Sequence, residues 1–147
     1  MTSTTPESEL FKRVETSFLR QGMMQNLGAK LLRVETGLCE VSLLHSERVS
    51  QQQGGFHGGA MGALADIAGG YAGLTVAPPD MEVTTVEYKI NFLASFSGGE
   101  LRATGRVVKA GKRIIVTTAE VMHIDASGKQ TDCAVMQQTL VPVPKTY

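Results

Sequence analysis

The chain has 147 residues, of which 42% are hydrophobic and 19% are charged. This composition excludes a disordered chain, and the length predicts one domain spanning residues 1–147, with residues 1–6 flexible. The 14 lysines and arginines balance the 14 aspartates and glutamates, so no overall field attracts the protein to nucleic acid or to an anionic membrane.

The first fifteen residues are polar and contain no continuous apolar run of the kind found in a secretory signal. No segment approaches the roughly 20 apolar residues that a membrane-spanning helix needs. We therefore expect a cytoplasmic protein that has no membrane partner.

The two cysteines, Cys39 and Cys133, lie far apart and belong to no CxxC motif. Their apolar or mixed surroundings favour packed, reduced thiols over a disulfide framework or a zinc site. The chain has neither a Walker motif nor a dinucleotide-binding fingerprint. We expect no metal and no separate cofactor.

Two patterns precede the first glycine-rich segment. Apolar residues recur at three- and four-residue spacing from Glu7 to about Gln21, which predicts an amphipathic helix after Pro6. After Gly28, two short apolar runs flank Thr36-Gly37 and predict two strands joined as a hairpin.

A second helix is predicted from Ala60 to about Val76, where small and apolar residues predominate and Asp66 is the single charge. Such a helix is stable only if other elements surround it. Each glycine within it costs roughly 1 kcal/mol relative to Ala, so we expect another backbone to approach it closely. These glycines are Gly62, Gly69, Gly70 and Gly73.

The remainder predicts four strands in a meander, because turn residues separate runs of strand-forming residues. The fold class is therefore α+β, with one antiparallel sheet that wraps the second helix and an N-terminal helix beside it. The predicted strands are Met81 to Leu93, Glu100 to Val108, Lys112 to Ile124 and Thr131 to Val143, with separators at Ser97-Gly98-Gly99, Ala110-Gly111 and 125–128.

Polar groups gather just before the second helix, in the segment from Gln51 to Gly59. The first amides of a helix have no partners within it, and the positive end of its dipole favours negative charge. The backbone of Gly58 or Gly59 is therefore a candidate to hold a carbonyl oxygen as it becomes an oxyanion. The alternative for His57 is a loop histidine with a structural hydrogen bond.

Asp66 lies nine residues after His57, and no neighbouring basic residue can pair with it locally. A buried carboxylate without partners is so unfavourable that it must find hydrogen bonds elsewhere or serve a site. As a general base for water, or as a nucleophile on a carbonyl carbon, it would need this placement. The alternative is a structural bond to backbone amides of a neighbouring strand.

Residues 57–66, HGGAMGALAD, resemble the HGG-x5-LAD segment of PaaI-like hotdog-fold thioesterases. The resemblance extends over the element order from about Leu27 to Leu140. It implies a six-stranded antiparallel sheet around a central helix, in a homodimer or homotetramer whose active sites lie between subunits. It also implies hydrolysis of an acyl-CoA to a free acid and coenzyme A.

The resemblance also assigns roles to individual residues. The residue matching Asp66 acts as base or nucleophile, and the amide matching Gly58 polarises the thioester carbonyl from the neighbouring chain. His57 and Gln51 match positions that fix the carbonyl or the water, although Gln53 is an alternative to Gln51. Thr85 matches a hydroxyl position near the attacking water; we prefer it to the adjacent Thr84 because residues 86, 88 and 90 then share the other strand face.

For coenzyme A, the resemblance points to the turn formed by Lys109, Gly111, Lys112 and Arg113, and to the residues after Phe92. Three cations around a turn suit phosphate groups, although a solvated hairpin tip has the same composition.

Two other functions remain as alternatives to hydrolysis. The first is a non-catalytic acyl-CoA binding or sensing module, because the same fold can hold the ligand without cleaving it. The second is a hydratase or dehydratase, which resembles a different motif with Asp and His placed to act on carbon.

Overall fold

The computed structural model describes residues 6–147. Of the segment expected to be flexible, residues 1–5 lie outside the described part of the chain, and Pro6 is the first residue of a helix. The helices are α1 (Pro6–Leu19), α2 (Gly22–Leu27) and α3 (Gly58–Leu74). The strands are β1 (Lys30–Glu35), β2 (Leu38–Leu44), β3 (Met81–Phe92), β4 (Glu100–Ala110), β5 (Ile115–Ile124) and β6 (Gln130–Pro144).

The N-terminal helix is shorter than predicted, and α2 was not predicted. The amides of Arg20 and Gln21 bond three residues back, which tightens the end of α1. Gln21 is extended, so the chain changes direction before α2 begins. Gly28 ends α2 in the left-handed conformation, with φ of 79°, which glycine adopts without steric cost.

The six strands form one antiparallel sheet in the order β1-β2-β4-β5-β6-β3. The predicted hairpins β1–β2, β4–β5 and β5–β6 are confirmed. The predicted meander is wrong at β3, which pairs with β6 at the sheet edge rather than with β4. The link between β3 and β4 does not reverse at Ser97-Gly98-Gly99, because it first crosses to the loop before α3, where the Phe56 amide bonds to the Phe96 carbonyl at 2.9 Å.

The sheet wraps α3, as predicted. Five strands, β2 to β6, contact this helix. Leu64, Ala65 and Ala68 are completely buried, which is how an almost uncharged helix is stabilised.

The reason for the helix glycines differs from the predicted one. A Cβ atom at Gly73 would overlap the side chain of Leu140 on β6, so a side chain rather than a backbone fills the space. The predicted close approach of another backbone to the helix does occur, but the glycine that permits it is Gly105 on β4, where a Cβ would overlap the Ala68 carbonyl. At Gly70 a Cβ would meet nothing within 4 Å.

Both cysteines are buried free thiols, which confirms the expected packing role. Burial raises the pKa of Cys39 to about 12, and burial, followed by the nearby Asp132, raises the pKa of Cys133 to about 11. Neither thiol is therefore appreciably ionised at neutral pH. Within residues 6–147, no helix is both long and apolar enough to cross a membrane.

Candidate active site

Asp66 lies on α3, and side chains from two strands bond to its carboxylate. The Thr85 hydroxyl on β3 donates to Oδ1 at 2.7 Å. The side-chain amide of Gln138 on β6 donates to the same oxygen and to Thr85 Oγ1 at 3.0 Å. Asp66 is thus held by neutral side chains rather than by the backbone amides of a strand.

The second carboxylate oxygen of Asp66, Oδ2, can take part in a reaction. Among the described residues, each side-chain hydrogen bond to the Asp66 carboxylate reaches Oδ1, and Gln138 Nε2 also donates to the Asp66 backbone carbonyl at 3.3 Å. Asp66 also lines a cleft of about 180 Å³ between α1, α3 and the start of β3. Oδ2 is therefore the oxygen available to a water molecule or a substrate.

Gln138 is completely buried, and its orientation has a clear cause. The Thr117 hydroxyl on β5 donates to Gln138 Oε1 at 2.8 Å, so the amide nitrogen faces Asp66. A Cβ at Gly69 would overlap Gln138 Oε1. That glycine gives the amide room beside the helix.

Gln138 is not among the site residues predicted from the sequence, although a signal was present. Ala134, Met136 and Leu140 alternate along β6 and are buried. Strand alternation therefore places Gln138 on the inward face. A buried glutamine needs partners, which marks the position as a candidate for a polar network.

The start of α3 presents one free amide. The Gly59 amide bonds to Nδ1 of His57, the N-cap residue, at 2.8 Å, and the amides of Ala60 and Met61 bond to the His57 carbonyl. Within residues 6–147, the Gly58 N–H has no such acceptor. Of the two predicted candidates for an oxyanion donor, Gly58 is therefore the available one.

His57 is exposed, and its tautomer follows from this cap. Because Nδ1 accepts a hydrogen bond from Gly59, a neutral ring carries its proton on Nε2. The ring thus presents an N–H donor to the surroundings of the helix start. The histidine has a structural bond and still offers a donor.

Gly58 and Asp66 do not meet within one chain. They lie eight residues apart on the same helix, which corresponds to about 12 Å along its axis. One thioester carbonyl cannot contact both groups of a single chain.

Thr85 rather than Thr84 contacts Asp66, but the predicted reason was wrong. A bulge between Thr85 and Glu87 interrupts the register with β6, and a bulge shifts the alternation of faces. Tyr88 therefore lies on the same face as Thr85, where its hydroxyl is 3.2 Å from a Cβ built at Gly62 of α3. Thr84 is exposed.

Gln51 and Gln53 both lie in the loop before α3, away from Asp66. The Gln51 side-chain oxygen accepts a hydrogen bond from the Gln53 amide. The Gln51 amide bonds to the Gly55 carbonyl at 2.9 Å, so Gln51 holds this loop closed. Gln53 is exposed.

The cations proposed to bind coenzyme A lie at the other end of α3 from Gly58. Lys109, Lys112 and Arg113 are exposed around the β4–β5 turn, where the Gly111 amide bonds to the Ile114 carbonyl at 2.9 Å. Gly111 and Lys112 line a depression together with residues 76–78, just beyond the end of the helix. Within one chain they lie roughly 25 Å from Gly58, which is the length of a 17-residue helix.

Comparison with known proteins identifies the family. Residues 53–127 match the model of the thioesterase superfamily. A putative esterase of Saccharolobus solfataricus is 34% identical over 121 residues, which are 82% of this chain and 80% of that protein. A 1,4-dihydroxy-2-naphthoyl-CoA hydrolase of Listeria monocytogenes is 33% identical over 91 residues, 62% of this chain and 74% of that protein.

A solved structure shows the same architecture. The crystal structure of a thioesterase family protein from Silicibacter pomeroyi has a TM-score of 0.88 and 31% identity, and the match covers 92% of this chain and 99% of that one. These findings confirm the fold and family expected from residues 57–66. The chain belongs to the thioesterase superfamily and is a hotdog-fold thioester hydrolase.

Proposed function

We propose that the protein is an acyl-CoA thioesterase that releases a free carboxylic acid and coenzyme A, with Asp66 as general base or nucleophile. The observation that supports this most strongly is the fixed carboxylate. Oδ1 is held by two neutral donors, whereas Oδ2 accepts no side-chain hydrogen bond from the described residues, and Asp66 lines a cleft. A carboxylate oriented in this way can direct a water molecule or attack the carbonyl carbon.

The Gly58 amide of a second copy completes the site in this proposal. It polarises the thioester carbonyl and stabilises the oxyanion, because it is a free donor at the positive end of a helix. His57 Nε2 and the Gln51 side chain help to fix the carbonyl or the water, and Thr85 lies near the attacking water through its bond to Asp66.

Self-association as a homodimer or homotetramer follows from the separation of Gly58 and Asp66. The edge strand β3 supports this, because its outer edge is unpaired within the sheet and exposes Val86, Tyr88 and Phe92. A long, partly apolar strand edge is a natural pairing site for another chain. Two copies related by a twofold axis bring each site its missing half.

Coenzyme A is part of the substrate in this proposal, so no separate cofactor is required. Lys109, Lys112 and Arg113 bind its phosphates, and Gly111 forms the tight turn between them. Because this turn is remote from Gly58 in the same chain, a contact to the substrate held at that amide comes from another copy.

The test is release of free thiol from a panel of acyl-CoAs by wild type, Asp66→Asn and Asp66→Ala, with coenzyme A binding measured on each. We expect turnover to fall by about 10²- to 10⁴-fold in both variants while binding persists. Asp132→Asn removes an exposed carboxylate on β6 and should leave turnover unchanged. Binding without turnover by wild type would indicate the sensing module, and full activity of Asp66→Asn would exclude the proposed role.

A further inference from the structure

Strand β5 carries a buried histidine near its end. Ile115, Ala119 and Val121 alternate along the inward face of this strand, and the same alternation places His123 inside, where it is 4% exposed. A buried ring N–H needs an acceptor. The acceptor of His123 shows which part of the chain this side chain holds in place.

His123 contacts the link between β3 and β4, residues 93–99, at two points. Its ring stacks on the ring of Phe96, with centroids 4.2 Å apart and planes inclined by 4°. Its Nε2 lies 2.9 Å from the carbonyl oxygen of Gly98. Because a carbonyl oxygen only accepts, Nε2 carries the proton. One side chain therefore holds the link by a stacked ring and by a hydrogen bond.

The link also lies directly against two strands. Gly99 has φ of 64°, and a Cβ there would overlap the carbonyl of Ile124 at the end of β5. The Gly99 carbonyl accepts from the amide of His45, which follows β2, at 3.0 Å. These backbone contacts and the side chain of His123 together define one position for the link.

The link in turn holds the loop before α3, residues 50–57. The Phe96 carbonyl accepts from the Phe56 amide at 2.9 Å, and the Ser97 hydroxyl donates to the Gly54 carbonyl at 3.1 Å. Nε2 of His45 bonds to the same Gly54 carbonyl at 2.9 Å. These bonds fix the half of the loop that leads into the helix.

Phe56 joins this ring cluster to the start of α3. Its ring is 2% exposed and meets the rings of His45 and His123 edge to face, with centroid distances of 4.9 and 6.2 Å. The next two residues are His57, the N-cap, and Gly58, the first residue of α3. A displacement of Phe56 would therefore also displace the Gly58 amide.

We propose that His123 is a positioning residue for the oxyanion donor. Through Phe96 and Gly98 it fixes the link, and through the link and Phe56 it fixes the direction of the Gly58 N–H. The inference rests on the thioesterase function proposed above. An oxyanion donor must lie within about 3 Å of the oxygen, and a misplacement of about 1 Å costs up to about 10²-fold in rate. A buried residue that does not contact the substrate can therefore limit kcat.

The kinetic test replaces His123 by leucine, which lacks both the ring and the donor, and by glutamine, whose amide nitrogen can donate in place of Nε2. With benzoyl-CoA as the probe, we expect His123→Leu to lower kcat by about 10-fold or more with KM nearly unchanged. His123→Gln should recover part of that loss. Val34→Ala is the matched control, because it removes buried methyl groups from β1 and lowers stability away from the link.

The infrared band of the bound thioester carbonyl measures the donor itself. Benzoyl-CoA, isotopically labelled at that carbonyl, is bound to Asp66→Asn, and the band frequency falls when a hydrogen bond polarises the carbonyl. Adding Gly58→Pro to this variant gives the frequency without the amide. Adding His123→Leu should shift the band toward that value, whereas adding Val34→Ala should leave it unchanged.

Three results would overturn the positioning role. They are an unchanged kcat and band in folded His123→Leu, a loss of kcat with an unchanged band, and an equal effect of Val34→Ala. If wild type binds benzoyl-CoA and hydrolyses no acyl-CoA of the panel, while His123→Leu still shifts the band, the thioesterase function alone fails. If His123→Leu does not fold, Phe96→Leu decides the question, because it removes the stacked ring and keeps the Phe96 carbonyl.

Discussion

The side-chain amide of Gln138 donates to the carboxylate of Asp66 from a strand 72 residues further along the chain. The same amide bonds to Thr85, and its carbonyl end accepts from Thr117. A buried glutamine with both ends of its amide hydrogen-bonded has one orientation, so it fixes the Asp66 carboxylate in place.

Replacing Gln138 with Met keeps a similar volume but removes the donor. We expect kcat to fall by about 10- to 100-fold with KM nearly unchanged, because a hydrogen bond to a charged group contributes about 1.5–3 kcal/mol. Steady-state kinetics on one acyl-CoA measures this. Gln137→Met, on the exposed face of the same strand, is the control; an effect on KM alone would contradict a positioning role.

Thr85→Val and Thr84→Val form a second matched pair. Valine keeps the branched shape of threonine, so Thr85→Val removes the hydroxyl that donates to Asp66 with little change in packing. We expect a loss of kcat of about 10-fold or more for Thr85→Val and none for the exposed Thr84→Val. If the two substitutions lowered kcat equally, neither hydroxyl would act on the reacting groups.

Gly58→Pro isolates the amide proposed to stabilise the oxyanion. Gly58 is the first residue of α3 and His57 before it is extended, with ψ of 135°, so the backbone accepts proline there, which removes the N–H and adds a ring at the position of the alanine Cβ. Gly58→Ala keeps the N–H and places a Cβ at 3.3 Å from the Phe92 ring. We expect kcat to fall by about 10²- to 10³-fold in the proline variant and much less in the alanine variant.

Mixing Gly58→Pro with Asp66→Asn tests the shared site. In a mixed dimer, one site receives the intact Gly58 from one chain and the intact Asp66 from the other. Random exchange of subunits should therefore restore about a quarter of wild-type activity from two inactive proteins. No recovery, with mixed dimers demonstrated by mass spectrometry, would show that both groups act within one chain or that one of them does not act.

Stability should fall in alkaline solution. The pKa of Cys39 rises from 9.0 to about 12 on folding, because of burial and secondarily Glu40. The thiol of the unfolded chain ionises at lower pH than the buried thiol. The contribution of Cys39 to the free energy of unfolding is therefore fully present below about pH 9 and is lost as pH rises toward 12. Urea unfolding between pH 8 and 11 should show a decline in the free energy of unfolding. Cys39→Ala should make that decline less steep, by up to about 1.4 kcal/mol per pH unit. Equal pH slopes for wild type and Cys39→Ala would contradict an origin in this thiol.

Local patterns predicted most of the secondary structure because they depend on near neighbours. The spacing of apolar residues located α1 and α3, and turn residues located the breaks between strands. A lone charge in an apolar helix singled out Asp66, and orphan amides at a helix start singled out Gly58. None of these inferences requires knowledge of which strands are neighbours.

The sequence by itself therefore determined most of the elements, including the central helix, and the segment from His57 to Asp66, since periodicity and the effects of helix ends are local. Tertiary structure decided that β3 pairs with β6, that a bulge follows Thr85, and that Gln138 reaches Asp66. These depend on contacts between residues far apart in the chain, where a single inserted residue reverses which face a side chain occupies. The cleft beside Asp66 forms only when α1 packs near α3, because residues of α1, α3 and β3 line it.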